Sequence, residues 1–103
     1  MAAAAVRFHP EAVREAIAAY DWYAARSLTA ARGFRDELDH AVDTVGDNPE
    51  RWPQYGDLAR RYMFPRFPFS LIYRVRGREV EVLAVTHGKR KPGYWRSRAQ
   101  RTP

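Results

Sequence analysis

Cysteine is absent from the 103-residue chain, so neither a disulfide framework nor a thiolate nucleophile is open to it. Histidine is scarce too: His9, His40 and His87 share no metal-ligand spacing, which argues against a structural or catalytic metal. There is no glycine-rich phosphate loop and no Gly-x-Ser-x-Gly elbow, so the common nucleotide-cradling and serine-hydrolase signatures are excluded. No apolar run approaches the roughly 20 residues that span a bilayer. The opening Met1–Val6 (MAAAAV) lacks a basic start and its apolar run stops at Arg7, so a secretory leader is not expected. These absences lead to the expectation of one small, soluble, cytoplasmic domain over residues 1–103, with no cofactor, metal or membrane contact.

Acidic residues are nearly missing from the second half. From Met1 to Asp57 ten carboxylates face six arginines, whereas from Leu58 to Pro103 twelve Lys and Arg face only Glu79 and Glu81. The tail, residues 88–103, holds Lys89, Lys91 and four arginines and no acid. A split of this kind points to an acidic or polyanionic partner on one side; the alternative is a solvated tail that aids solubility. Apolar residues make up 46% of the chain, enough for one packed core.

The hydrophobic pattern orders the elements. Ala4–Phe8 fits a first strand, and Pro10 suits the first turn of a helix, with Glu11 and Glu15 near the positive end of its dipole. His9, at the start of that helix, is assigned a capping or connecting role, and His40 a surface one. Val13, Ile17, Tyr20 and Ala24 recur at helical spacing and predict its buried face. Ser27 is placed to cap a second helix, whose Phe34, Leu38, Ala41, Val42 and Val45 keep the same period. Gly46–Pro49 should end it with a left-handed cap. Two helices on so short a link form an antiparallel hairpin.

Three strands follow, over Leu58–Phe64, Phe69–Val75 and Glu79–Thr86, rich in aromatic and β-branched residues. Pro65 and Pro68 force a turn between the first two, and Arg76-Gly77-Arg78 makes a tight hairpin between the second and third. Strict alternation in the last strand predicts Val80, Val82 and Ala84 on one face and Leu83, Val85 and His87 on the other. Both faces need cover, which the helices and the Tyr94-Trp95 pair supply. The fold class is therefore α+β: an N-terminal strand, an antiparallel two-helix hairpin, a three-strand antiparallel meander and a short basic tail.

Residues able to carry chemistry gather late in the chain. Arginine holds phosphate by bidentate hydrogen bonds, histidine transfers protons near neutral pH, and Tyr94 and Trp95 offer rings for stacking on a base. A metal-free ribonuclease needs little more than such cations with a general acid and base. The other reading makes the two aromatics a lid over Leu83 and Val85 with solvated arginines around them.

The run Arg60-Arg61-Tyr62, then Phe67-Pro68-Phe69-Ser70-Leu71-Ile72-Tyr73, then Val82-Leu83-Ala84-Val85-Thr86-His87 with Arg90, Pro92 and Tyr94-Trp95, resembles the RelE/ParE superfamily of bacterial type II toxin–antitoxin toxins. The resemblance covers Val6 to about Arg98 and implies the α+β fold above, growth arrest, and neutralisation by a cognate antitoxin. The antitoxin, often with an acidic C-terminal segment, is expected on the basic sheet side. ParE-like members poison DNA gyrase; RelE-like members cut ribosome-bound mRNA with a largely basic residue set. Aligned on Leu71-Ile72-Tyr73, that set meets Arg61 and Arg90 but also Met63 and Ser70, which carry no charge. Its tail tyrosine falls on Arg96, with Tyr94 two residues earlier. The gyrase-type reading is therefore placed slightly ahead. The nuclease alternative rests on Arg61, His87, Arg90 and Tyr94 as catalytic residues. In either case Arg60, Arg66, Arg74, Lys89, Lys91, Trp95, Arg96 and Arg98 are candidates for contacting nucleic acid or a partner.

Overall fold

A computed structural model describes residues 3–101; Met1, Ala2, Thr102 and Pro103, the ends of the expected domain and tail, lie outside it. The elements run β1 (Ala5–Phe8), α1 (Pro10–Ala24), α2 (Leu28–Asp47), β2 (Gln54–Tyr55), β3 (Ala59–Met63), β4 (Phe69–Arg76), β5 (Glu79–His87) and α3 (Arg96–Arg101). They form an α+β fold around one mixed five-stranded sheet ordered β1-β5-β4-β3-β2, in which only β1–β5 is parallel. The three-strand meander forms as expected, with one more strand before it. β2 pairs its two residues with Arg60 and Ala59, too short a run to show any period in the sequence.

Local chemistry starts and stops the helices. Pro10 opens α1, and His9 Nδ1 accepts the Glu11 N–H at 3.1 Å, a cap built from imidazole. Ser27 Oγ accepts the Ala30 N–H at 3.2 Å and opens α2. The expected left-handed cap after α2 is not formed. Gly46 stays helical and buried, and Asn48 leaves the helix at φ −151°. The glycine serves an approach instead: a Cβ on it would lie 3.2 Å from Val6 Cγ2, where β1 crosses the helix.

The buried face of α1 also departs from the periodicity. Val13 and Ile17 are 42% and 56% exposed, while Ala12 and Ala19 are buried and Ala16 and Tyr23 pack inward beside them. Small residues let the helix lie close to the sheet, and that turns the larger aliphatic stripe outward. The second correction concerns β5. Ile72 pairs with Ala84 and Tyr73 with Val82, so Leu83 is an extra residue in a bulge. Val80, Val82 and Val85 consequently face the helices, while Leu83 and Ala84 share the opposite face.

Both faces of the sheet are covered. Under the helical hairpin, Phe34 lies 5.1 to 6.0 Å from the rings of Tyr23, Phe64, Phe67 and Phe69. The buried Glu37 carboxylate accepts the N–H groups of Arg66 and Phe67, at 2.8 and 3.2 Å, holding the chain between Pro65 and Pro68 in place. On the other face Trp95 and Ala99 cover Ile72, Leu83 and Ala84. Gly77, at φ +61°, and Arg78 join β4 to β5; a positive φ at the first loop residue alone is that of a type II′ hairpin.

Tyr73 is fully buried and its hydroxyl donates to the Pro49 carbonyl. Burial pushes its pKa up to about 12, against a smaller opposing pull from the Arg60 charge. The neutral phenol is the form the fold holds. Its stabilisation is complete below the unfolded-state pKa of about 10 and is lost as pH rises through about 12. Urea denaturation at stepped pH should therefore show an alkaline loss on the order of 2 kcal/mol that Tyr73→Phe lacks. Parallel pH profiles for the two chains would refute this.

Candidate functional site

β1 ends opposite Val82, where the His9 N–H donates to the Val82 carbonyl at 2.8 Å, so β5 continues beyond it with a free edge. Two side chains take the place of a neighbouring strand. Arg98 Nη1 donates to the Leu83 carbonyl at 2.9 Å, and Glu15 Oε1 accepts the Val85 N–H at 3.0 Å. The two then pair with each other in the bidentate manner, at 2.9 and 3.0 Å, and the Tyr94 hydroxyl donates to Glu15 Oε2 at 2.6 Å. Both members of the pair are largely buried. Burial works against the Arg98 cation, but the hydrogen bonds and charge of Glu15 outweigh it and raise its pKa. Burial, reinforced by the bond to Glu15, raises the Tyr94 pKa.

Beside this junction a groove of about 570 Å³ opens between α1 and the segment after β5. Ala18, Ala19, Phe69 and Val85 give it an apolar floor, Trp22 and Tyr23 stand on one side, and His87, Lys89, Arg90 and Tyr94 on the other. Trp22 is 54% exposed, with the Arg26 guanidinium stacked 3.7 Å from its ring centre. Arg90 stacks in the same way on Tyr94, at 3.9 Å. His87 meets the edge of Phe69 and accepts the Lys89 N–H on Nδ1 at 3.0 Å. That lone pair is committed, so the neutral ring carries its proton on Nε2 and presents a donor rather than a base.

The remaining residues singled out from the sequence are dispersed. Arg61 pairs across β3–β4 with Ile72 and stacks 4.4 Å above Tyr55, on the sheet face opposite His87. Arg60 donates to the Trp52 carbonyl, Arg66 to Glu37, Arg74 to Glu81 and Arg96 to Asp57. The Arg96 hydrogen bond, with its charge, holds the Asp57 carboxyl below its ordinary pKa. Trp95 is 3% exposed and belongs to the core, so its ring is not offered for stacking. Arg98 is the structural cation described above. Lys89, Arg90 and Lys91 are exposed, as are Arg66 and Arg96 beside the acids they pair with. Among the described residues no three His, Cys, Asp or Glu side chains converge as a metal would require, and no helix is long and apolar enough to cross a membrane.

Residues 6–92 match the family described as ParE toxin of type II toxin-antitoxin system, parDE. The chain belongs to the ParE toxin family. Its fold is similar to a chain in the solved structure of the chromosomal ParDE TA system from P. aeruginosa. The TM-score is 0.72 at 20% identity, over 82% of this chain and 95% of that one. No curated protein matches it. Of the residues that line the groove or its junction in this ParE toxin, the sequence singled out His87, Lys89, Arg90 and Tyr94 as candidates but not Glu15, Ala18 and Trp22. Only Glu15 left a trace, as an acid one turn into α1, and that position reads equally well as a dipole contact.

The Glu15–Arg98 pair sets a stability test. Glu15→Leu strands a buried guanidinium and should cost about 3–5 kcal/mol in chemical denaturation, whereas the double variant Glu15→Leu/Arg98→Leu should regain more than half of that loss. Strictly additive losses would refute the coupling.

Proposed function

We propose that this ParE-family chain is the toxin of a type II pair, held in check by a cognate antitoxin in the cytoplasm. On this reading it arrests growth by binding a protein target, DNA gyrase foremost, and breaks no bond itself. The observation that carries the proposal is a cross-strand pair. Met63 and Ser70 face each other in the β3–β4 register, at two of the positions where the nuclease pattern calls for cations. Met63 is 63% exposed and Ser70 buried, so this patch has nothing with which to neutralise a phosphate. Arg61, the cation that the pattern does retain nearby, sits across the sheet from His87. Residues that act as a unit lose rate by orders of magnitude when several are missing.

The mRNA-cleaving alternative keeps one supporting observation, that His87, Arg90 and Tyr94 line a single groove. Against it stand the committed Nδ1 of His87 and the Tyr94 hydroxyl already donated to Glu15, which leave the trio without a free base.

Pulse labelling after induction of this chain alone separates the two. Thymidine incorporation should fall before methionine incorporation, and purified chain should inhibit gyrase supercoiling. An early fall in methionine incorporation with cut mRNA would overturn the gyrase reading. Continued growth with neither label affected would overturn the toxin reading itself.

A further inference from the structure

The helical period of α1 is not satisfied within one copy of the chain. Val13, Ile17, Tyr20 and Ala24 form a single stripe, yet Val13 is 42% and Ile17 56% exposed, with Tyr20 and Ala24 only partly buried beside them. Arg14, Ala18 and Asp21 complete the exposed face next to that stripe. Asp21 stands in the last turn, where the helix dipole disfavours a carboxylate, and it enters no ion pair among the described residues. Arg14 pairs with Glu11 on the same helix, an exposed contact of small energy. The two charges are also placed symmetrically: each lies about 5 Å along the axis from the point midway between Ile17 and Ala18.

An apolar stripe with a cation on one side of its middle and an anion on the other is complementary to its own reverse. From this we infer that α1 docks on α1 of a second copy of this chain, antiparallel about a two-fold axis beside Ile17. Ile17 then meets the partner's Ile17, Val13 enters between the partner's Tyr20 and Ala24, and Arg14 faces the partner's Asp21, each contact being made twice. A parallel arrangement would set Arg14 against Arg14 and Asp21 against Asp21, so charge selects the antiparallel one. The small side chain of Ala18 lets the two helices come close. A contact about 16 Å long and one helix, about 10 Å, wide falls short of the roughly 800 Å² per partner of a permanent interface. The dimer is therefore weak and governed by concentration, with a dissociation constant on the order of 10–100 μM. Ala18 and Trp22 border the contact and also line the groove beside β5, so the second copy stands at the mouth of that groove.

The test is sedimentation equilibrium of the full chain alone from about 5 to 500 μM, a range that brackets the expected constant. The mass should rise from one copy toward two as concentration increases. Ile17→Glu, at an exposed position outside the core, should leave the chain monomeric throughout. Arg14→Asp and Asp21→Arg should each weaken self-association by about fivefold or more, because each sets like charges together at both ends of the contact. An equimolar mixture of those two variants restores both opposite-charge pairs and should associate as the parent does. Thermal melts matching the parent establish that the variants are folded. A parent chain still monomeric at the highest concentration would overturn the inference. So would a dimer that none of the three substitutions weakens, since the copies then meet elsewhere. Charge variants that lose association without recovering it in the mixture would overturn the antiparallel pairing. Because the readout is mass, the result holds whether or not the chain arrests growth.

Discussion

Glu15 and Arg98 close a gap that the strand order leaves open. β1 is four residues long and stops at Phe8, while β5 runs on to His87. Unpaired backbone groups at a sheet edge need partners, and here a carboxylate and a guanidinium provide them, one for the Val85 N–H and one for the Leu83 carbonyl. Because Glu15 stands on α1 and Arg98 on α3, the same contact fastens both helices to the central strands. A buried ion pair adds little net stability over a well-packed apolar pair, but breaking it on one side is expensive. Its main consequence here is therefore geometric. It sets where the chain after β5 returns, and with it the line of the groove.

The bulge in β5 belongs to the same region. One extra residue at Leu83 turns the face of the strand over, so Val85 joins the core under the helices while Leu83 and Ala84 meet Trp95 and Ala99. On the helical side, alanines let α1 approach closely, and the Phe34 cluster with the Glu37 clamp fixes the proline-bounded loop. The exposed Val13 and Ile17 follow from that close approach.

Within the ParE toxin family the fold is a scaffold on which surface chemistry varies. This chain keeps Arg61 and Arg90, two of the cations in the related nuclease pattern, but they are separated by the sheet, and Met63 against Ser70 leaves a neutral patch between the strands. Many of its arginines turn inward or sideways onto Glu37, Glu81, Asp57 and Glu15. The excess of positive charge in the second half therefore exceeds the cationic surface that is free to meet a partner.

The sequence by itself determined the order of the elements other than β2 and α3, the helical hairpin, the Gly77 turn, the two-sided burial of β5 and the cover that Trp95 supplies. All of these follow from local periodicity and from residues with narrow backbone preferences. It also marked His87, Arg90 and Tyr94, because unusual side chains close together are visible in a linear string. Only the tertiary structure decided that β1 lies parallel to β5, that α1 buries alanines rather than Val13 and Ile17, that alternation breaks at Leu83, and that Glu15 meets Arg98. Each of these depends on residues far apart in the chain: the Val85 N–H and Glu15 are 70 positions apart, and Arg98 and Glu15 are 83 apart. Such contacts leave no periodic signal, because their energy is set by the space between elements that have already formed.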